Sequence, residues 1–299
     1  MNKTCLIIAG PTAVGKTAMA IQLAQQFSTQ IISADSRQCY KELNIGVAKP
    51  SAAELATVQH YFINSHTISQ NVTAADFEEY ALQSADTIFL KNDKAILVGG
   101  TGLYIKAFAE GLDEIPGIEE SLRTSIVTDY NNGGIQWLQE QVKKQDPDYF
   151  IHGEMQNPQR MMRALEVKIS TGKSIRSFQS KLKKQRNFNC IKIGLELPRE
   201  MLYNRINLRV DKMMENGLLA EAESLLPGKH LNALQTVGYR ELFDYFDKKI
   251  SLENAVELIK QNSRHYAKRQ MTWFKKDKEM QWVDLQDEEK AFTSILQRV

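Results

Sequence analysis

The chain has 299 residues, enough for one large or two modest domains with a proper core. Its 42% hydrophobic and 25% charged residues are ordinary for a globular protein, and no apolar run approaches the ~20 residues that span a bilayer. Net charge is only +2, and the three cysteines lack C-x-x-C spacing, which argues against a disulfide framework or zinc site and suits a reducing cytoplasm.

Residues 4–9 form a short apolar run with buried-strand character, so close to the first residue that no signal or transit segment is expected. The next eight residues, Gly10-Pro11-Thr12-Ala13-Val14-Gly15-Lys16-Thr17, fit G-x-x-x-x-G-K-[ST]. In that motif backbone N–H groups cradle phosphates, the lysine neutralises them and the threonine hydroxyl faces Mg²⁺. Residues 18–24 then show helical spacing. A strand, a glycine loop and a helix are the context the motif needs, because the helix N-terminus adds its dipole to the anion site.

Further strands are expected at 30–33, 95–98, 190–196 and 280–284, at intervals too long for hairpins. Helical patterning fills the gaps, for example over 73–91. Such alternation implies an α/β fold with a parallel sheet covered on both faces. The stretch 112–189 breaks the rhythm with Pro116-Gly117, then Asn131-Asn132-Gly133-Gly134, and no convincing strand. It reads as a helical insertion domain within a core of residues 1–111 and 190–299. Helices are expected at 199–216, 218–226, 238–246 and 252–275 before the last strand.

The small net charge hides an uneven distribution. Residues 156–192 carry ten Lys or Arg, Lys181 among them, against Glu166 alone, and 260–278 carry seven against Asp277 alone. These stretches hold +9 and +6, leaving −13 on the remainder for the total of +2. Two basic runs on an otherwise acidic chain resemble the footprint of a polyanion such as nucleic acid.

A nucleoside triphosphate hydrolase would place an acid at the end of a neighbouring strand to hold its metal. Here 95–98 runs into Gly99-Gly100-Thr101-Gly102, with a neutral hydroxyl where that acid is expected. Thr101 can bond a phosphate or bridging oxygen, or cap the helix that follows. The acid stands instead beyond the second strand, in Ser33-Ala34-Asp35-Ser36-Arg37-Gln38. Asp35 on the sheet rim is a candidate general base or a turn residue. Lys49 is a second candidate cation or plain surface.

Taken in order, the loop of residues 10–17, Ser33–Gln38, Gly46-Val47-Ala48-Lys49-Pro50 and Gly99-Gly100-Thr101-Gly102-Leu103-Tyr104 resemble the tRNA dimethylallyltransferase (isopentenyltransferase) family. So do Asn157-Pro158-Gln159-Arg160-Met161-Met162-Arg163, Val237-Gly238-Tyr239-Arg240 and Arg269-Gln270-Met271-Thr272-Trp273-Phe274. The resemblance covers essentially the whole chain, with Lys275 where Arg is more usual. The zinc-finger tail of some eukaryotic members is not expected, which suits a bacterial type.

The resemblance implies a P-loop NTPase-like fold and transfer of a dimethylallyl group from dimethylallyl diphosphate to the 6-amino group of adenosine 37, next to the tRNA anticodon. Substrate tRNAs would be those reading codons beginning with U. Residues 10–17 would hold the diphosphate, with Mg²⁺ on Thr17 and with Lys16 and Thr101 stabilising departing pyrophosphate. Asp35 would be the base, helped by Ser36, Arg37 and Gln38 in holding adenine. Arg123, Gln159, Arg160, Met161, Met162 and Arg163 would contact tRNA. A cytoplasmic monomer is expected. A nucleoside-type kinase is the alternative that shares the loop.

Overall fold

The computed structural model describes residues 3–180 and 182–299; Lys181 lies outside them. They form two compact units, one of residues up to Glu110 together with Gln185–Val299, the other Gly111–Lys184. The larger unit begins β1 (Thr4–Ala9), α1 (Lys16–Gln26), β2 (Ile31–Ala34), α2 (Ala52–Thr57), β3 (His60–Tyr61), α3 (Ala74–Phe89), β4 (Lys94–Gly99), α4 (Gly102–Glu110). The second unit contains α5 (Glu120–Gln145), α6 (Pro147–His152) and α7 (Pro158–Thr171). The chain then re-enters the larger unit as β5 (Asn189–Glu196), α8 (Arg199–Glu215), α9 (Leu218–Ser224), α10 (Tyr239–Phe246), α11 (Leu252–Phe274), β6 (Gln281–Asp284) and α12 (Glu288–Leu296).

The strands make one sheet in the order β3-β2-β4-β1-β5-β6, every pairing parallel. Two-residue β3 is too short to leave a sequence pattern. Strand β1 runs through the middle, and its side chains alternate between two cores because a strand's period is two. Cys5, Ile7 and Ala9 pack with Phe77, Phe108 and Leu242 on one face, while Leu6 and Ile8 meet Leu23, Ile206 and Ile295 on the other. Burial on both faces explains why β1 reads as an unbroken apolar run. Capping sets where the flanking helices start. Thr73 Oγ1 accepts from Asp76 N–H at 3.3 Å, and Asp76 Oδ2 accepts from Thr73 N–H at 2.8 Å, a reciprocal box that begins α3.

The insertion expected at 112–189 ends earlier than its missing strands suggested. Residues 185–188 belong to the larger unit: Arg186 donates to the Ala107 and Phe108 carbonyls at 2.7 and 2.8 Å and pairs with Glu78 at 2.7 Å, and Phe188 stacks on Phe108. Within the helical unit, α5 continues through Asn131 and Asn132 and kinks only at Gly134, where φ is 67°. Helix α7 opens with Asn157 accepting from Arg160 N–H and Pro158 in the first turn, and stops at left-handed Gly172, φ 72°. Met161 and Met162, at 0% and 3% exposure, lie in this unit's core with Leu138, Val142 and Leu165. The expectation that they touch tRNA is therefore corrected: the stripe of α7 facing α5 needs apolar side chains, and these supply it.

Part of the basic footprint also proves internal. The Lys192 ammonium, 5% exposed, donates to Glu110, Asp277 and Glu279 at 2.8, 2.8 and 3.0 Å. Lys260 pairs with Asp211 at 2.8 Å and Glu257 at 3.1 Å. No described helix is long and apolar enough to cross a membrane.

Candidate functional site

The glycine loop wraps the C-terminal end of β1 tightly. Gly10 holds φ 147°, and a Cβ there would stand 2.6 Å from the Leu195 carbonyl oxygen; Gly15 holds φ 113° and leads directly into α1. Between them Ala13 adopts φ 65°, a left-handed conformation that costs a non-glycine residue about 1–3 kcal/mol. The loop thus stays in shape against local preference, held by partners from elsewhere in the larger unit. Gln270 of α11 accepts from Thr12 N–H at 2.8 Å and donates to the Gly100 carbonyl at 2.9 Å. Arg205 and Arg209 of α8 donate to the Val14 carbonyl and Thr12 hydroxyl, each at 3.2 Å.

The loop lines a cavity of about 240 Å³ together with Asp35 and Arg209, and Lys16 and Thr17 border it. Lys16 Nζ donates to the Pro11 carbonyl at 2.7 Å. Burial and, next, the Arg209 guanidinium bring the Lys16 ammonium down to about 7, against the opposing pull of Asp35. An anion entering this cavity meets two cationic groups that repel each other until it arrives.

Asp35 serves as a turn residue and also faces both cavities of the site. Its Oδ1 accepts from Arg37 N–H at 2.9 Å and Gln38 N–H at 3.3 Å. Asp35 borders the loop cavity and a second cavity of about 120 Å³. Thr101 stands at the start of α4, where its carbonyl accepts from Tyr104 and Ile105 N–H. Its hydroxyl accepts from Ser36 N–H at 3.1 Å and donates to Ser36 Oγ at 3.4 Å. Tyr266 of α11 lies within hydrogen-bonding reach of that hydroxyl; burial and then Asp35 push its phenol up to about 12, so it stays protonated at neutral pH. Arg37 donates to the Asn232 carbonyl at 2.9 Å.

The second cavity differs in character. Ile206, Val210, Met213, Val237 and Ile259 give it apolar lining, and Asp35, Arg37, Arg209 and Tyr266 border it too. Val47 and Ala48 border both cavities, so the loop carrying them positions both. Three ties hold that loop. Glu221 accepts from the N–H groups of Asn44, Ile45 and Gly46 at 3.2, 2.9 and 2.9 Å and from the Tyr239 hydroxyl at 2.6 Å. Gln38 Nε2 donates to the Val47 and Ala48 carbonyls at 3.2 and 3.0 Å. Lys49 donates to Tyr40, Asn44 and Asn64, which makes it a fastener of this loop.

Arg123, Gln159, Arg160 and Arg163 belong to the helical unit. Arg163 pairs with buried Glu166 at 3.2 Å, and Arg123 reaches the same carboxylate at 3.9 Å. Gln159 and Arg160 are exposed and border a surface cavity of about 540 Å³ with Arg163, Arg176, Asn157 and Tyr149. Among the described residues no three His, Cys, Asp or Glu side chains cluster as a metal cage. Sequence reasoning missed Arg209, Glu221 and Tyr266 as site residues. The signals were faint: Arg205 and Arg209 lie one turn apart, and Tyr266 precedes a motif whose Gln270 also had no assigned part.

Comparison with known proteins fits this geometry. Residues 38–277 match the family model described as IPP transferase. A tRNA dimethylallyltransferase of Flavobacterium johnsoniae is 50% identical over 94% of this chain and 93% of its own length. That of Christiangramia forsetii is 47% identical over 97% and 96%. Among solved structures, the tRNA isopentenylpyrophosphate transferase of Bacillus halodurans superposes with a TM-score of 0.73 at 36% identity, covering 99% of this chain and 95% of that one. A eukaryotic dimethylallyltransferase described as acting on tRNA reaches 0.81 at 27% identity, covering 99% and 77%. The parallel sheet with its phosphate loop is the P-loop NTPase-like fold expected, and the chain belongs to the IPP transferase family.

Proposed function

We propose that this chain transfers the dimethylallyl group of dimethylallyl diphosphate to the 6-amino group of adenosine 37 in tRNAs reading codons that begin with U. The observation that carries the reading is the pair of adjoining cavities, one cationic on a phosphate loop and one small and apolar, which meet at Asp35 and Arg209. An allylic diphosphate has the same two halves. A kinase of the nucleoside type would place a second polar substrate where this chain has Ile206, Val210 and Ile259.

The loop N–H groups, Lys16 and Arg209 bind the diphosphate and take up the charge that builds as the allylic C–O bond breaks. The new bond forms between that carbon and the adenine nitrogen, whose proton passes to Asp35; a positioned base of this kind is worth ~10²–10⁴ in rate. The electron pair of the broken bond leaves with pyrophosphate. Ser36 and protonated Tyr266 hold Thr101, whose hydroxyl donates to a leaving-group oxygen. Mg²⁺ fits the donor set, since it commonly binds substrate phosphates with few protein ligands. Thr17 would hold it there, and it would supply further neutralisation of pyrophosphate.

An amine stacked in the anticodon loop is out of reach, so adenosine 37 must be extruded. Exposed Gln159 and Arg160, with Arg163 and Arg123, are the residues of the helical unit that would grip the surrounding RNA. A cytoplasmic monomer completes the reading, and three unpaired cysteines suit that compartment. The test is incubation with tRNA and radiolabelled dimethylallyl diphosphate or γ-labelled ATP. Prenyl label in adenosine 37 is expected; label transferred from ATP alone would replace this reading with the kinase.

A further inference from the structure

Two cavities lie on either side of Met213. Inside is the apolar pocket of about 120 Å³ beside Asp35; outside is an open groove of about 830 Å³ carrying Ile45, Leu208 and Lys212. Ala48, Arg209 and Met213 border both, and of these only Met213 is a large apolar side chain. We infer that Met213 is the specificity-determining residue for donor chain length: it closes the apolar pocket behind one five-carbon unit and keeps a ten-carbon allylic chain out. This inference rests on the transferase reading given above.

The volumes carry the first step. An engineered apolar cavity of about 150 Å³ holds one benzene, a six-carbon ligand. A pocket of about 120 Å³ therefore suits a five-carbon group and has no room for five carbons more. A longer chain must leave the pocket, and the outer groove is the open volume that shares the apolar side chain of Met213 with it. Met213 is the large apolar side chain that borders both.

The helix carries the second step. Arg209 and Met213 sit four residues apart on α8, on one face, separated by about 6 Å along the axis. Arg209 marks the diphosphate end and Met213 the tail end. One rigid element thus fixes both the seat of the charged group and the length of chain beyond it. Val210 and Ile259 also wall the pocket, but neither borders the groove, so trimming them widens the pocket without opening it. Methionine is unbranched and tolerates replacement, so the gate can be altered without rebuilding the core. The chemistry is the same for either donor: the allylic C–O bond breaks, the C–N bond forms, the amine proton goes to Asp35 and pyrophosphate leaves.

Wild type, Met213→Ala and Met213→Leu are assayed on an anticodon stem-loop RNA with dimethylallyl or geranyl diphosphate, and the RNA products are weighed by mass spectrometry. Small differences in an apolar pocket discriminate by about 10–200-fold in kcat/KM. Wild type is expected to favour the five-carbon donor by at least that range. Met213→Ala raises the geranyl-to-dimethylallyl ratio of kcat/KM by at least about tenfold, at some cost in dimethylallyl KM, and Met213→Leu keeps the wild-type ratio. Should the alanine variant fail to fold by its melting curve, Met213→Val carries the same expectation. A wild type that uses geranyl diphosphate equally well, or a folded variant with unchanged ratio, overturns the gate. Absence of transfer from either donor by wild type overturns the transferase reading instead.

Discussion

The depressed Lys16 ammonium makes donor binding pH-dependent in a direction that can be worked out beforehand. In the free protein Lys16 titrates at about 7, because burial and Arg209 disfavour its charge. A bound diphosphate favours the charged form, so its pKa rises on binding and the complex takes up a proton. Binding is then full-strength below pH 7 and weakens above it by a factor of ten per unit, each unit being worth about 1.36 kcal/mol. From pH 7 to 8.5 the association constant should fall roughly 15-fold, by the same relation. The donor's own last phosphate proton leaves near pH 6 and pushes the opposite way, so the fall emerges only above that point. Calorimetry of dimethylallyl diphosphate without RNA, run in buffers of different ionisation enthalpy, measures affinity and proton uptake together. Net uptake should approach one proton at pH 8.5 and pass through zero near pH 6.5, where the donor's own release cancels it. Lys16→Ala should bind more weakly at neutral pH and lose the slope. A flat wild-type profile, or the same slope in Lys16→Ala, would refute the reasoning.

Three further outcomes are expected. Asp35→Asn keeps the oxygen that caps the turn to Arg37 and Gln38 while removing the base, so transfer should slow by ~10²–10⁴ with tRNA affinity within a few-fold; equal losses would make Asp35 a docking residue. Lys192→Met strands three carboxylates around a buried position and should cost about 3 kcal/mol, a melting-temperature drop of roughly 6–10 °C. Burial works against the Lys192 charge, but the three partners outweigh it and raise the Lys192 pKa, so its contribution persists at neutral pH and is lost only at strongly alkaline pH; an unchanged melting temperature at pH 7 would count against the cluster. Arg160→Ala should flatten the salt dependence of tRNA binding by about 0.7–0.9 in logarithmic slope without lowering the melting temperature, whereas Arg163→Ala, which exposes buried Glu166 to a single distant arginine, should lower both affinity and melting temperature; an unchanged slope in Arg160→Ala would remove it from the RNA surface.

What the sequence made legible and what it hid divide along a physical line. Covalently local features could be read directly. The glycine loop needs left-handed residues at fixed spacing, and a central strand buried on both faces must be apolar throughout, so β1 and its loop show in fourteen consecutive letters. Asp35 also showed, because the rim of a parallel sheet is where strand-end loops gather, and it borders both cavities there; Thr101 is among the lining of neither. Features built from distant segments did not show. Gln270 reaches Thr12 across 258 positions of sequence, and Glu221 reaches Ile45 across 176. Composition misled for a related reason. Counting charges along the chain cannot tell a lysine with three carboxylates folded around it from one in water, so Lys192 and Arg186 were counted with a polyanion footprint that they do not join. Met161 and Met162 share a segment with Arg160, yet helical geometry turns them to the opposite side, into the core. The same distinction bears on the donor pocket. Its walls come from α8, α11 and the loop before α10, so no contiguous motif encodes its length, and a single side chain on α8 can reset it without disturbing the residues that define the family.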